Sequence, residues 1–325
     1  MNVGENFQPR QHNSSVCRYA GPRTRFISMR DDVALPRAPI PDMLRCMKKA
    51  FFCLAVLLAA VPGIAQQGKA RPPKTPRLYV FDCGTLYATD TSNYQLKKEE
   101  VATATMSMLC FLIAHPKGNL IWDAGAIPDV SFKGGEGTMR NSKSTKTLTA
   151  QMAEAGYSPA GIKYLALSHF HWDHVGNANL FANATWLTPK AERDVMFGDP
   201  PSPRTEPASF SALKNSKTVF LSKDEYDVFG DKTVIIRAAP GHSPGHQVLY
   251  LKLAKTGPLV LSGDLYHYPE ERTLNRVPTT EFNAGQTVTS RAAVEAYIQK
   301  TGAPIWIQHD FTGSAKLKKA PQFYE

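Results

Sequence analysis

Leu167-Ser168-His169-Phe170-His171-Trp172-Asp173-His174 places three histidines and one aspartate within six residues, in the order H-x-H-x-D-H. The segment before it, 162–167, is short and mostly aliphatic and is bounded by Gly161 and Ser168, so it reads as a buried strand. The His/Asp cluster then falls at the C-terminal end of a strand, where α/β sheets collect their chemistry. Imidazole nitrogen suits zinc, and a carboxylate adds a hard oxygen ligand beside it. Side chains alternate along an extended chain, so His169 and His171 point the same way and can share one metal. Asp173 and His174, beyond a turn, face a second.

Two metals need more ligands than this loop holds, and three further candidates stand at the ends of strand-like runs. His242 lies in Ala239-Pro240-Gly241-His242-Ser243-Pro244-Gly245-His246, after 232–238. Asp264 closes 258–261 within Leu261-Ser262-Gly263-Asp264. His309 closes the apolar run Ile305-Trp306-Ile307-Gln308. Glycine or proline beside the first two lets the backbone turn tightly.

With these motifs in place the chain resembles the metallo-β-lactamase-fold hydrolase superfamily, over roughly residues 77–310. The resemblance implies one metal held by His169, His171 and His242, a second held by Asp173, His174 and His309, and Asp264 bridging the two. It implies two divalent ions, Zn2+ in the first instance. A hydroxide shared between them attacks a carbonyl at neutral pH, and Asp173 relays a proton to the leaving group. Asp123, in Ile121-Trp122-Asp123-Ala124-Gly125, resembles the family's early Asp-x-Gly; it supports the metal loop or simply caps a strand end. Strands alternating with helices twice over predict an α/β fold, an αββα sandwich of two mixed sheets flanked by helices. Its halves span 77 to about 220 and 232–308, with the metals at the shared edge.

The segment Ser262-Gly263-Asp264-Leu265-Tyr266-His267-Tyr268-Pro269-Glu270 and the opening Arg77-Leu78-Tyr79-Val80-Phe81-Asp82-Cys83-Gly84 are most similar to the N-acyl homoserine lactonase branch. Asp264 stands where true metallo-β-lactamases place Cys or Ser. The resemblance implies a dinuclear zinc lactonase acting on a small-molecule lactone, N-acyl homoserine lactones in particular (quorum quenching). The alternatives are β-lactam or thioester hydrolysis by the same machinery, or a non-hydrolytic iron-binding relative. Lactonases place a substrate-binding Tyr three residues after the bridging Asp. Here that position is His267, flanked by Tyr266 and Tyr268, so Tyr266 and His267 are the candidate substrate contacts. His246 and His115, without neighbouring ligands, read as structural.

The formal charge of +10 is split evenly: residues 1–65 carry nine Lys/Arg against four Asp/Glu, and the remainder carries 29 against 24. With no basic stripe interleaved with aromatics, nucleic-acid binding is disfavoured. Residues 1–42 lack periodicity and read as an unstructured or untranslated leader, with translation expected to start at Met43 or Met47. Residues 43–65 combine basic residues, an apolar core of about a dozen residues and a small-x-small end, the pattern of a secretory signal peptide. That core is short of the roughly 20 residues a membrane span needs, so a periplasmic or secreted protein without stable membrane insertion is expected. Residues 66–325 then form one metallo-hydrolase domain. Cys83 and Cys110 read as small buried hydrophobes, with a disulfide permitted. Strands are expected at 77–82, 106–114, 119–123 and 185–187, and helices at 144–155 and 189–197. Residues 198–216, with four prolines, read as a long loop with little structure of its own, either lining or covering the substrate cleft or forming a solvated insertion.

Overall fold

The computed structural model describes residues 72–325. The expected leader and signal peptide, 1–42 and 43–65, lie outside the described residues. The first strands are β1 (Arg77–Leu86), β2 (Met106–His115), β3 (Gly118–Trp122), β4 (Gly137–Met139), β5 (Ser142–Ser144), β6 (Tyr164–Ala166), β7 (Thr185–Thr188) and β8 (Thr218–Phe220). They form one sheet in the order β4-β5-β1-β2-β3-β6-β7-β8. The second sheet takes β9 (Glu225–Asp227), β10 (Val234–Ala238), β11 (Gln247–Leu253), β12 (Gly257–Leu261) and β13 (Ile305–Trp306), in the order β13-β12-β11-β10-β9. Both sheets are mixed: β3, β6, β7 and β8 run parallel, as do β12 and β13, while the other pairs are antiparallel.

Period-two alternation sorts each strand between two cores. On β1, Leu78 and Val80 face the second sheet, where they meet Val234, Ile236, Leu249 and Leu251. Tyr79 and Phe81 face the other way, onto the helix Leu148–Glu154 through Leu148 and Met152. The outer face of the second sheet, Ile235, Val248, Tyr250 and Val260, packs on the helix Ala284–Thr301 through Val294, Tyr297 and Ile298. The layers therefore run helix, sheet, sheet, helix, as expected. All ten residues of β2 are buried, as befits a strand covered on both faces. Among the described residues, no helix is long and apolar enough to cross a membrane.

Three expectations are corrected. The helix expected over 144–155 is shorter, because Thr147 caps Ala150 N and the Asp129 carboxylate takes the Leu148 and Thr149 N–H groups, starting the helix at Leu148. Residues 198–216 carry structure of their own: a helix, Pro207–Phe210, and a 3-10 turn, Ser211–Asn215, that bury Phe210 and Leu213. Cys83 and Cys110 are buried, but as a disulfide joining β1 to β2. The register of β1 slips between Asp82 and Thr85, a bulge that sequence spacing does not announce. The bond spans 27 residues of sequence, for which chain-entropy arguments give about 3–4 kcal/mol. A Cys83→Ser/Cys110→Ser double variant is expected to melt roughly 10 °C lower in a calorimetric scan.

Candidate metal centre

Five chain segments converge at one edge of the sandwich: the residues after β3, β6, β12 and β13, and the turn between β10 and β11. Two groups of side chains meet there. His169, His171, His242 and Asp264 form one, and Asp173, His174 and His309 form the other; within each, the ligand atoms lie within 4.8 Å of one another. Asp264 stands between them. Its Oδ1 lies 3.1 Å from the Nε2 atoms of both His174 and His309. Its Oδ2 lies 3.5 Å from His169 Nε2 and 3.4 Å from His242 Nε2. Asp173 Oδ2 completes the second group, 3.6 Å from His309 Nε2 and 3.8 Å from His174 Nε2. The structure thus brings together all seven residues expected to bind metal.

Four of the five clustered histidines have their outward nitrogen fixed by an acceptor, which sets the tautomer. His174 Nδ1 donates to Asp123 at 3.0 Å, His242 Nδ1 to Glu281 at 2.9 Å, His309 Nδ1 to the Ser107 carbonyl at 2.8 Å and His169 Nδ1 to the Ser168 hydroxyl at 3.1 Å. Asp123 is itself anchored by the N–H and hydroxyl of Ser168 and by Gln308 Nε2. It supports the metal loop, one of its two expected roles. His246 is structural: its Nδ1 donates to the Ala239 carbonyl and its Nε2 accepts the Asp264 N–H at 2.9 Å. His115 stacks on Phe229, away from the cluster. Two glycines let these turns close. A Cβ on Gly241 (φ +136°) would stand 2.2 Å from Thr287 N, and one on Gly263 (φ +49°) would stand 2.7 Å from the Ser168 side chain.

The donor set fits divalent metal. His174 Nε2 and Asp264 Oδ1 are both buried without a hydrogen-bond partner although only 3.1 Å apart, so they aim at a common point rather than at each other. Burial first, then neighbouring imidazoles, holds His169 and His171 well below the usual histidine range, so both rings are neutral and free to donate a lone pair. Burial opposes the charge on Asp264, but the surrounding His174, His309, His169 and His267 outweigh it and hold the carboxyl well below its ordinary range.

The two candidate substrate contacts part company. His267 faces the centre, with Nε2 3.3 Å from Asp264 Oδ2 and Nδ1 3.1 Å from Glu271 Oε1. Tyr266 points away: its hydroxyl donates to Glu295, and its ring packs under Arg291 and in the outer core. Four residues near the centre were not singled out by sequence reasoning. The Tyr94 ring lies tilted against His267, with 4.7 Å between ring centroids. Glu271 and Glu281 hold His267 and His242. Arg204, from the 198–216 segment, brings its Nη1 to 3.4 Å from His171 Nε2. None lies in a motif; only the i, i+4 spacing of His267 and Glu271 gave a signal.

An αββα sandwich with two His/Asp clusters at its sheet edge is the architecture of a metal-dependent hydrolase. The metallo-beta-lactamase superfamily profile matches residues 107–308, and the chain belongs to that superfamily. It is 30% identical over 263 residues to the N-acyl homoserine lactonase AttM of Rhizobium radiobacter, covering 76% of this chain and 98% of the relative. A solved N-acyl homoserine lactone hydrolase, with N-hexanoyl-L-homoserine bound at its catalytic metal center, superposes with a TM-score of 0.65 at 20% identity, covering 76% of this chain and 98% of that one. AidC, a dizinc quorum-quenching lactonase, superposes with a TM-score of 0.55 at 18% identity, covering 77% and 94%.

Proposed function

We propose that this chain is a dinuclear zinc lactonase that opens N-acyl homoserine lactones. The observation that carries the reading is Asp264, which turns one carboxylate oxygen to each histidine group. The likeness to N-acyl homoserine lactonases supports the substrate class. His169, His171 and His242 would hold one ion, Asp173, His174 and His309 the other, with Asp264 shared. Two ions so held supply an activated nucleophile at neutral pH and polarise the ester carbonyl. The rest falls to the chain. Asp173, the most exposed of the seven, lies where it can pass a proton to the departing alkoxide. Burial opposes a charge on His267, but Glu271 and Asp264 outweigh it and push its pKa up to about 10, so the ring donates Nδ1–H to Glu271 and keeps Nε2–H towards the centre, where it can donate to the substrate carbonyl. Tyr94 packs against that ring.

We further propose that the protein is exported to the periplasm or beyond. The signal-like 43–65 segment supports this, as does a disulfide, which persists in oxidising compartments.

The test is acid release by zinc-loaded protein on a medium-chain N-acyl homoserine lactone, with a cephalosporin in parallel and metal content by elemental analysis. Fast, chelator-sensitive opening of the lactone alone is expected. Cleavage of the cephalosporin alone would overturn the lactone assignment, and iron in place of zinc would overturn the metal.

A further inference from the structure

The clustered histidines divide four to one. His169, His174, His242 and His309 turn Nε2 to the centre and donate Nδ1–H to an acceptor in the protein. His171 is reversed. Its Nδ1 faces the centre, 2.7 Å from His169 Nε2 and 3.0 Å from His242 Nε2, while its outward Nε2 meets Arg204 Nη1 at 3.4 Å. A neutral imidazole that gives its Nδ1 lone pair to a metal carries its proton on Nε2, and a guanidinium has no acceptor atom. With the first ion in place, both groups are donors directed at the same small space. One oxygen between them satisfies both, and a charge-assisted bond from arginine is among the stronger neutral-acceptor contacts.

Arg204 is delivered by a firm turn. Its backbone carbonyl accepts the Trp172 N–H at 3.0 Å, and buried Thr205 donates its hydroxyl to the Ser202 carbonyl at 2.6 Å. The backbone of Arg204 is therefore anchored beside the H-x-H-x-D-H loop itself.

We propose that His171 Nε2–H and Arg204 form a polar subsite for an oxygen acceptor carried by the substrate beside the scissile ester, and that this acceptor is an amide carbonyl. The pair lies on the far side of the His171 ring from Asp264, so the ester carbonyl that reacts at the centre cannot occupy it. A group one or two bonds from the ring can. The subsite rests on the lactonase reading for its substrate and assigns Arg204 the task of orienting the acyl amide.

Calorimetric titration of the zinc-loaded protein with two ring-opened acids tests this without turnover. N-hexanoyl-homoserine carries the carboxylate and the amide; 4-hydroxybutyrate carries the carboxylate alone. Arg204→Gln is expected to weaken the first by about ten-fold or more and the second by less than two-fold, the size of one lost hydrogen bond to a charged group. Arg204→Lys, which keeps the charge but not the fork, should fall between. Equal losses for both ligands, or no loss for either, would overturn the subsite, since a merely structural arginine cannot tell the two acids apart. Wild-type protein that discriminates in this way yet opens no lactone would retain the subsite and remove the catalytic reading; intact lactone opening with equal losses would do the reverse.

Discussion

Asp264→Asn is expected to lower kcat/KM for lactone opening by at least about a thousand-fold, equivalent to some 4 kcal/mol of lost transition-state stabilisation. It is also expected to leave fewer than two zinc ions per chain. The carboxylate meets His174 and His309 through one oxygen and His169 and His242 through the other. An amide retains one of these oxygens and replaces its twin with an NH2 group, which has no lone pair for a cation. Whichever way it settles, one histidine group faces a donor. The fold should survive, because the backbone N–H of residue 264 still reaches His246 Nε2. Zinc content by elemental analysis, steady-state kinetics and far-UV circular dichroism decide the matter together. Two tightly held ions with undiminished turnover would remove Asp264 from its bridging position.

Glu271→Leu should be the most destabilising single substitution in the surroundings of the centre. Glu271 is fully buried; one oxygen accepts from His267 N, His267 Nδ1 and Tyr268 N, and the other from Arg291 Nη2 at 2.6 Å. Removing one partner of a buried ion pair costs about 3–5 kcal/mol because the other charge is left without compensation. Arg291, buried in the helix Ala284–Thr301, would be that charge. Denaturant unfolding should show the loss as a lower midpoint with an unchanged slope. Glu271→Gln keeps an acceptor towards His267 and should lose less stability. A leucine variant within 1 kcal/mol of wild type would mean that Arg291 finds other partners.

The seven clustered ligands were legible because each sits in a local pattern: a strand, a tight turn, then His or Asp. The two halves of the sandwich were legible for the same reason, as apolar runs whose alternation the structure sorts between cores. What surrounds the ligands was not. Glu281 follows His242 by 39 residues and Arg204 follows His171 by 33, and each pair meets only because the fold brings remote loops to one edge. Tyr266 points away from the centre for a local reason. After the turn Gly263–Leu265 the backbone is extended, so residues 266 and 268 share one side and 267 takes the other. His267 therefore looks into the centre, while Tyr266 turns to Glu295 and Tyr268 donates to the Ala104 carbonyl. The cysteine pairing was left open because it depends on the register of β1 against β2, which the spacing of two cysteines does not give.

A carboxylate that looks both ways has a thermodynamic consequence. With two ions held as proposed, the occupancy of one histidine group would change the affinity of the other, since both ions would draw on the same side chain. Linkage makes that influence equal in both directions. Metal loading of this protein would then be a single coupled equilibrium. The populations of empty, half-filled and filled protein would be set by that shared residue together with the six that would serve one ion each.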